Sequence, residues 1–303
     1  MLGQPMSSGG EFPISLAFNK AGSMLCVLNG GAAAGVKCFS VDAKKGLSGI
    51  ANTDRVLSLN QTTPATGPAG SASHILFSED GTQLLASIKG TPAQPGFLAI
   101  WDVAAKDNSL SAQFAAVKPA SGALPFGMSL IPGANAVLAT DPAIGFDVVP
   151  FGKGAVAGTA SSTNVSGQAA VCWSSHSAKT GNFYLTDIGT SLVTEVSVDK
   201  NLKAKIVKQY QQAMGSATID TDIATVGSQE SVPYSSTDEC LCSSVRRFLY
   251  ILGANKTQVQ VMSLSAPGKA ASIQNIDISA PAKRAGLTLS GLNLQGMTTF
   301  IKA

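Results

Sequence analysis

Charge is scarce in this chain. Asp, Glu, Lys and Arg make up 13% of its 303 residues, against roughly 25% in an ordinary globular domain. The arginines are Arg55, Arg246, Arg247 and Arg284, and the formal net charge is +3. That surface is too weakly basic to neutralise a phosphate backbone, so nucleic acid is not an expected partner. No apolar run approaches the ~20 residues of a membrane-spanning helix, and a membrane is not expected either. Histidine occurs twice, as His74 and His176, and tryptophan twice, as Trp101 and Trp173. No Cys-x-x-Cys or Cys/His spacing suggests zinc. No Gly-x-Ser-x-Gly elbow suggests a serine hydrolase. The first residues carry no charged segment followed by an apolar one, so they are not a signal peptide.

What the chain has in quantity is punctuation, with 31 glycines and 14 prolines. Short β-branched and aromatic runs alternate with Gly, Pro, Asn and Asp clusters, and no long stretch repeats at the helical period. Four places share one pattern. Pro13–Phe18 turns through Asn19–Gly22 into Met24–Leu28, and Ser73–Phe77 turns through Ser78–Gly81 into Gln83–Ser87. Phe126–Leu130 meets Pro132-Gly133 before Ala136–Ala139, and Ala170–Trp173 runs through Lys179–Asn182 into Phe183–Thr186. Third strands follow at Gly35–Val41, Gly96–Val103, Gly145–Pro150 and Leu192–Val198. The units start near residues 13, 73, 126, 169 and 216. Four-stranded repeats at a period of ~40–50 residues indicate an all-β fold, a β-propeller built of blades. About five whole blades fit, with a remnant at Gly286–Lys302. Met1–Met6 reads as the outer strand of a preceding blade, so 1–303 is expected to be a single propeller domain that lacks N-terminal blades.

Cys26 and Cys38 lie on adjacent strands of one hairpin, where opposed positions satisfy disulfide geometry. The alternative is two small buried apolar side chains. Cys172 sits in an apolar strand and reads as core. Three glycosylation sequons begin at Asn60, Asn164 and Asn255, each in an expected loop or turn. Residues 228–247 interrupt a blade between Ile223–Val226 and Phe248–Ile251, and hold Cys240 and Cys242. This atypical insertion reads either as a retained intron or as a disordered surface loop.

The segments Ser8–Pro13, Gly67–His74, Thr180–Thr190 and Leu294–Thr298 resemble those of secreted fungal proteins in the lactonase-type seven-bladed propeller family, the 3-carboxymuconate cyclase-like group. The similarity runs over nearly the whole chain, with Thr180–Thr190 its most specific part. It implies an extracellular protein whose relatives carry a secretion signal and about two further blades before Met1. It also implies an isomerase (an intramolecular lyase) or a lactone hydrolase, acting on a small cyclic ester or unsaturated carboxylic acid. The other expectation is a non-catalytic secreted or cell-wall glycoprotein that binds carbohydrate, a cell-wall component or a protein partner.

In the muconate-cyclising relatives a histidine with arginine and glutamate partners forms the catalytic centre, and the resemblance puts His74 in that role. Proton transfer at the lactone-forming carbon needs such an acid/base, and the substrate carboxylates need a cation. Outside the insertion the arginines are Arg55 and Arg284, so the cationic site is sparse. Glu11, Glu79, Glu195, Asp187, Asp220 and Asp222 are the carboxylates on offer. Glu195, in an alternating strand, is expected to face solvent. Asp187 is expected near the channel mouth. Asp220 and Asp222 alternate onto one face of a strand, where a carboxylate pair can bind a divalent cation such as the calcium that the resemblance implies in the central channel. The alternative is two aspartates bonded to backbone. His176 reads as a turn-proximal surface residue, and Trp101 and Trp173 as blade packing.

Overall fold

The computed structural model describes residues 3–120, 123–152, 160–226 and 246–299. Nearly all of the 228–247 insertion, including Cys240 and Cys242, lies outside them. The chain divides into two compact units, Met1–Ser166 and Gly167–Ala303.

The first unit holds three antiparallel sheets whose strands are ordered as in the chain. β1 (Phe12–Phe18), β2 (Met24–Gly30), β3 (Gly35–Asp42) and β4 (Gly46–Gly49) form the first blade, and β5 (Arg55–Val56) pairs with the other half of β3. The second comprises β6 (Ala72–Phe77), β7 (Gln83–Ile88), β8 (Phe97–Asp102) and β9 (Ala115–Val117). The third comprises β10 (Met128–Leu130), β11 (Ala136–Asp141), β12 (Gly145–Pro150) and β13 (Ser161–Asn164).

The second unit has the same plan. Its sheets are β14 (Val171–His176), β15 (Phe183–Asp187), β16 (Leu192–Val198), β17 (Ala204–Gln211), and then β18 (Thr218–Val226), β19 (Arg246–Gly253), β20 (Gln258–Leu264), β21 (Ala270–Asp277). Arg246 and Arg247 open β19, so this strand starts two residues before the expected Phe248. One short helix, α1 (Ser279–Arg284), precedes the segment that runs to Thr299. The five sheets are blades of a β-propeller, as the repeat implied.

Local chemistry accounts for the hairpins. In the first four blades the turn between the first two strands holds a glycine in the left-handed region: Gly22, Gly81, Gly133 and Gly181, at φ +68 to +72. A backbone that costs other residues strain is open to glycine there. Within each unit the sheets then stack face to face. Leu84 and Ala86 of β7 pack with Cys26, Leu28, Val36 and Ile75 on one side. Leu85 joins Val137, Ala139 and Val149 on the other. In the second unit Tyr184, Val193, Leu249, Ile251 and Met262 form the equivalent layer. A strand covered on both faces loses its polar alternation, which is why β7, β11 and β12 are buried throughout.

Candidate functional site

A repeated irregularity positions every candidate on a first strand. In β1, β6, β14 and β18 the register slips once, so that two residues oppose one on the second strand. The bulged pairs are Ile14-Ser15, Ser73-His74, Cys172-Trp173 and Ile219-Asp220. Such bulges re-aim side chains. In β1 and β6 the side chain of the second member bonds the next blade, and in β18 it bonds the C-terminal segment. The Ser15 hydroxyl accepts from Ile75 N–H at 3.2 Å, His74 Nδ1 from Met128 N–H at 2.9 Å, and Asp220 Oδ2 from Met297 N–H at 2.7 Å. His74 and Asp220 thus hold the same register position in two blades, one in each unit.

With Nδ1 accepting from Met128, the neutral imidazole carries its proton on Nε2, a tautomer assigned from the hydrogen-bond pattern. Burial pushes the His74 pKa down to about 4. A strip of the residue reaches solvent, so the ring is enclosed by packed neighbours rather than sealed. Ser87 Oγ supports this arrangement by accepting from His74 N–H at 3.1 Å and donating to the Phe126 carbonyl at 2.6 Å.

The first member of the bulged pair is apolar or a thiol in three blades and a hydroxyl in β6. Ser73 is buried, and its Oγ contacts the ammonium of Lys89. Lys89, itself 7% exposed, also reaches Ser71 Oγ at 3.3 Å and lies over the Phe126 ring, 4.5 Å from its centre. Lys89 follows the last residue of β7. Its counterparts are Gly30, the last residue of β2, and Pro142, Ile188 and Ala254, which follow β11, β15 and β19. One residue earlier, Asp141 and Asp187 use their carboxylates to gather the N–H groups that precede their own sheet's first strand, as with Leu124 at 2.9 Å and Ala170 at 3.1 Å. The second blade has Ile88 there. A cleft of about 340 Å³ opens beside that replacement, bounded by Asn60, Gly70, Ile88, Lys89, Thr91 and Phe97 among others. Lys89 joins this cleft to Ser73, and sequence reading alone passed it over.

Asp220 and Asp222 share a face, as expected. Their acceptors are turned to the chain's own C-terminal segment. Besides Met297 N–H on Asp220, Asp222 Oδ2 accepts from Thr299 N–H at 2.7 Å and from the Thr299 and Thr298 hydroxyls at 2.9 and 3.2 Å. Burial pushes the Asp220 pKa up to about 6, with the Asp222 charge adding to it against the two N–H groups that lower it. Among the described residues no third His, Cys, Asp or Glu joins them as a metal ligand. This donor set suits backbone capture better than a divalent cation, which prefers six or more oxygens.

The remaining carboxylates are structural. Glu195 corrects the expected solvent-facing role, because it is fully buried. It accepts from Asn182 Nδ2 at 2.6 Å, the Tyr210 hydroxyl at 2.6 Å, the Tyr184 hydroxyl at 3.2 Å and Gly268 N–H at 3.0 Å. Both tyrosine pKa values are pushed up by burial first, and Glu195 adds to it. The Asp187 carboxylate accepts from four backbone N–H groups, those of Ala169, Ala170, Gly189 and Thr190. Glu79 is exposed and accepts from Gly133 N–H at 2.8 Å. Arg55 points at carbonyls, among them Ser111 O at 2.7 Å and Asn52 O at 2.8 Å. His176 is half-buried against Phe183, at 4.7 Å between ring centres, and burial lowers its pKa.

Cys26 and Cys38 are directly opposed across β2 and β3 and form a disulfide. Asn60, Asn164 and Asn255 are all exposed. Asn60 is in a loop as expected, whereas Asn164 ends β13 and Asn255 sits in a short 3₁₀ turn, Ala254–Lys256. Among the described residues no helix is long and apolar enough to cross a membrane.

The fold is that of the lactonase-type β-propellers. One similar structure is a protein of Bacteroides uniformis provisionally assigned as a 6-phosphogluconolactonase: 14% identity, TM-score 0.60, covering 88% of this chain and 72% of that one. Another is the periplasmic gluconolactonase of Pseudomonas aeruginosa, at 16% identity and TM-score 0.50, covering 88% and 85%. A third is an auxiliary nutrient binding protein of Bacteroides thetaiotaomicron, at 11% identity and TM-score 0.54, covering 96% and 64%. At these identities the likeness establishes the fold. No protein-family model and no curated protein sequence matches the chain.

Proposed function

We propose that this chain is an extracellular lactonase-like enzyme, related to the 3-carboxymuconate cyclase-like group, that acts on a small cyclic ester or unsaturated carboxylic acid. The observation that carries the reading is the second blade's polar bulge, Ser73-His74, joined through the buried Lys89 ammonium to a cleft of about 340 Å³. A fixed cation in a site shielded from water stabilises a carboxylate or a developing oxyanion far better than it does in bulk solvent. One ammonium suits a single carboxylate or ester carbonyl better than a tricarboxylate, which favours ring opening over muconate cyclisation. His74 enters as a neutral imidazole oriented by Met128, the form that polarises a carbonyl by donating from Nε2. The disulfide and the exposed sequons are compatible with secretion.

The test is turnover of a panel of γ- and δ-lactones and muconates by the full chain. His74→Ala is expected to lower kcat/KM on the order of 100-fold or more, as loss of an acid/base or polarising group does. Unchanged turnover in that variant removes His74 from the chemistry, and no turnover of any substrate removes the enzyme reading.

A second reading, a non-catalytic glycoprotein that binds carbohydrate, a cell-wall component or a protein, is favoured by one observation. His74 and Asp220 occupy the same structural position, and each is spent on a neighbouring backbone N–H. Saturable binding of cell-wall polysaccharide without turnover would select it.

A further inference from the structure

We propose that Ser73 and Lys89 form a nucleophile–base dyad that opens a lactone through a covalent acyl-enzyme, an inference that rests on the lactonase reading above. The argument is internal to the repeat. At the first bulge position three other blades place Ile14, Cys172 and Ile219; at the end of the second strand or just past it the other blades place Gly30, Pro142, Ile188 and Ala254. The second blade departs at both positions, and the two departures meet: Lys89 Nζ contacts Ser73 Oγ. Each residue is 7% exposed. Burying an ammonium costs several kcal/mol of lost hydration, and apolar residues fill both places elsewhere in the same fold. Lysines desolvated in this way are the ones that serve as general bases.

The geometry also supplies what such a dyad needs around it. The Phe126 ring packs on the ammonium and Ser71 Oγ holds it from the side, so the amine is aimed at Ser73. Lys89 lines the cleft, and Ser73 lies in contact with it on the buried side. In the step itself Lys89 in its neutral form takes the Ser73 Oγ proton as Oγ bonds to the lactone carbonyl carbon, and so becomes the ammonium that faces the developing oxyanion. The ring C–O bond breaks, and the leaving alkoxide takes the proton from Lys89. This leaves a ring-opened ester on Ser73. Water then adds to that ester with Lys89 again taking the proton, and the proton returns to Ser73 as the hydroxy acid leaves. The net reaction is lactone plus water to hydroxy acid.

A β-lactone serves as probe, because it acylates an activated serine irreversibly or slowly enough to map. The full chain is incubated with it and digested, and the adduct is located by peptide mass. Labelling on Ser73 is expected, rising with pH as Lys89 deprotonates. It should vanish in Ser73→Ala and in Lys89→Arg, which keeps the charge but does not release its proton. Ser73→Cys keeps a nucleophile and should still label, which guards against misreading an unfolded variant; circular dichroism of each variant checks the fold. Lactone turnover should fall on the order of 1,000-fold in Ser73→Ala. Adduct at another residue, or turnover retained in Ser73→Ala, overturns the dyad and leaves the lactonase reading standing. Labelling of Ser73 with no lactone turned over supports the dyad and overturns the lactonase reading. Neither labelling nor turnover overturns both.

Discussion

At the scale of single residues, the buried polar groups carry the sharpest consequences. Folded His74 stays neutral down to about pH 4, whereas in the unfolded chain its imidazole charges near 6.5. Between those values the unfolded state binds the extra proton, so stability present above pH 6.5 is lost as pH falls towards 4. One pKa unit corresponds to about 1.36 kcal/mol, which bounds the loss at roughly 3 kcal/mol. Urea unfolding at pH 7.5 and 4.5 should show that slope in the parent chain and a flatter one in His74→Asn, which retains an acceptor for Met128. Glu195 makes a different prediction. Its carboxylate satisfies two hydroxyls, an amide and a backbone N–H in one buried place. Glu195→Gln puts a donor among those donors and should cost about 2 kcal/mol in urea unfolding, with His74 chemistry untouched. A variant as stable as the parent would mean that the network reorganises at no cost. Alternation along β16 pointed Glu195 outward because it assumes one wet face. Stacking of the sheets leaves no wet face there.

At the scale of elements, hairpins are the units in which sequence and structure agree most closely. The four early hairpins and their third strands fall within three residues of the positions read from punctuation, since a turn and its flanking strands are decided by neighbours in the chain. The Cys26–Cys38 bond belongs to this scale too. It closes a separation of 12 residues within one hairpin, and a loop of that size contributes about 3 kcal/mol in the chain-entropy account. Replacing both residues with Ala should lower the unfolding free energy by that amount. An equal stability would show that packing around Leu28 and Val36 already restrains the unfolded hairpin. Lys89 was also within reach at this scale. Aligning the residues where each second strand ends sets it against Gly30, Pro142, Ile188 and Ala254, and the mismatch is visible without coordinates. Its partner was not visible, because a bulge decides which of two successive residues meets it.

Across the whole molecule, the scarcity of charge is explained by sheets that cover each other within each unit. The few ionisable groups placed inside tie segments of backbone to the sheets. Asp141, Asp187, Asp220, Asp222 and Glu195 all accept backbone N–H groups, most of them from a neighbouring segment. With Asp220 and Asp222 committed in this way, removal of divalent cations should leave the thermal midpoint unchanged. A fall of more than a few degrees on EDTA treatment, reversed by calcium, would restore the metal reading.

The chain's own pattern of strands, glycine turns and period was enough to specify a propeller of four-stranded blades and to set Cys26 and Cys38 on adjacent strands of one hairpin, with the bond itself left open. These features depend on residues a few positions apart, where backbone preference and alternation act directly. Contacts between blades are of another kind. Ser73 with Lys89, Glu195 with Gly268 and Asp220 with Met297 depend on how one sheet is seated on the next and where its register slips. Neither seating nor slip leaves a local signal. The difference between a structural carboxylate and a candidate nucleophile is therefore settled in three dimensions, by what each buried polar atom finds opposite it.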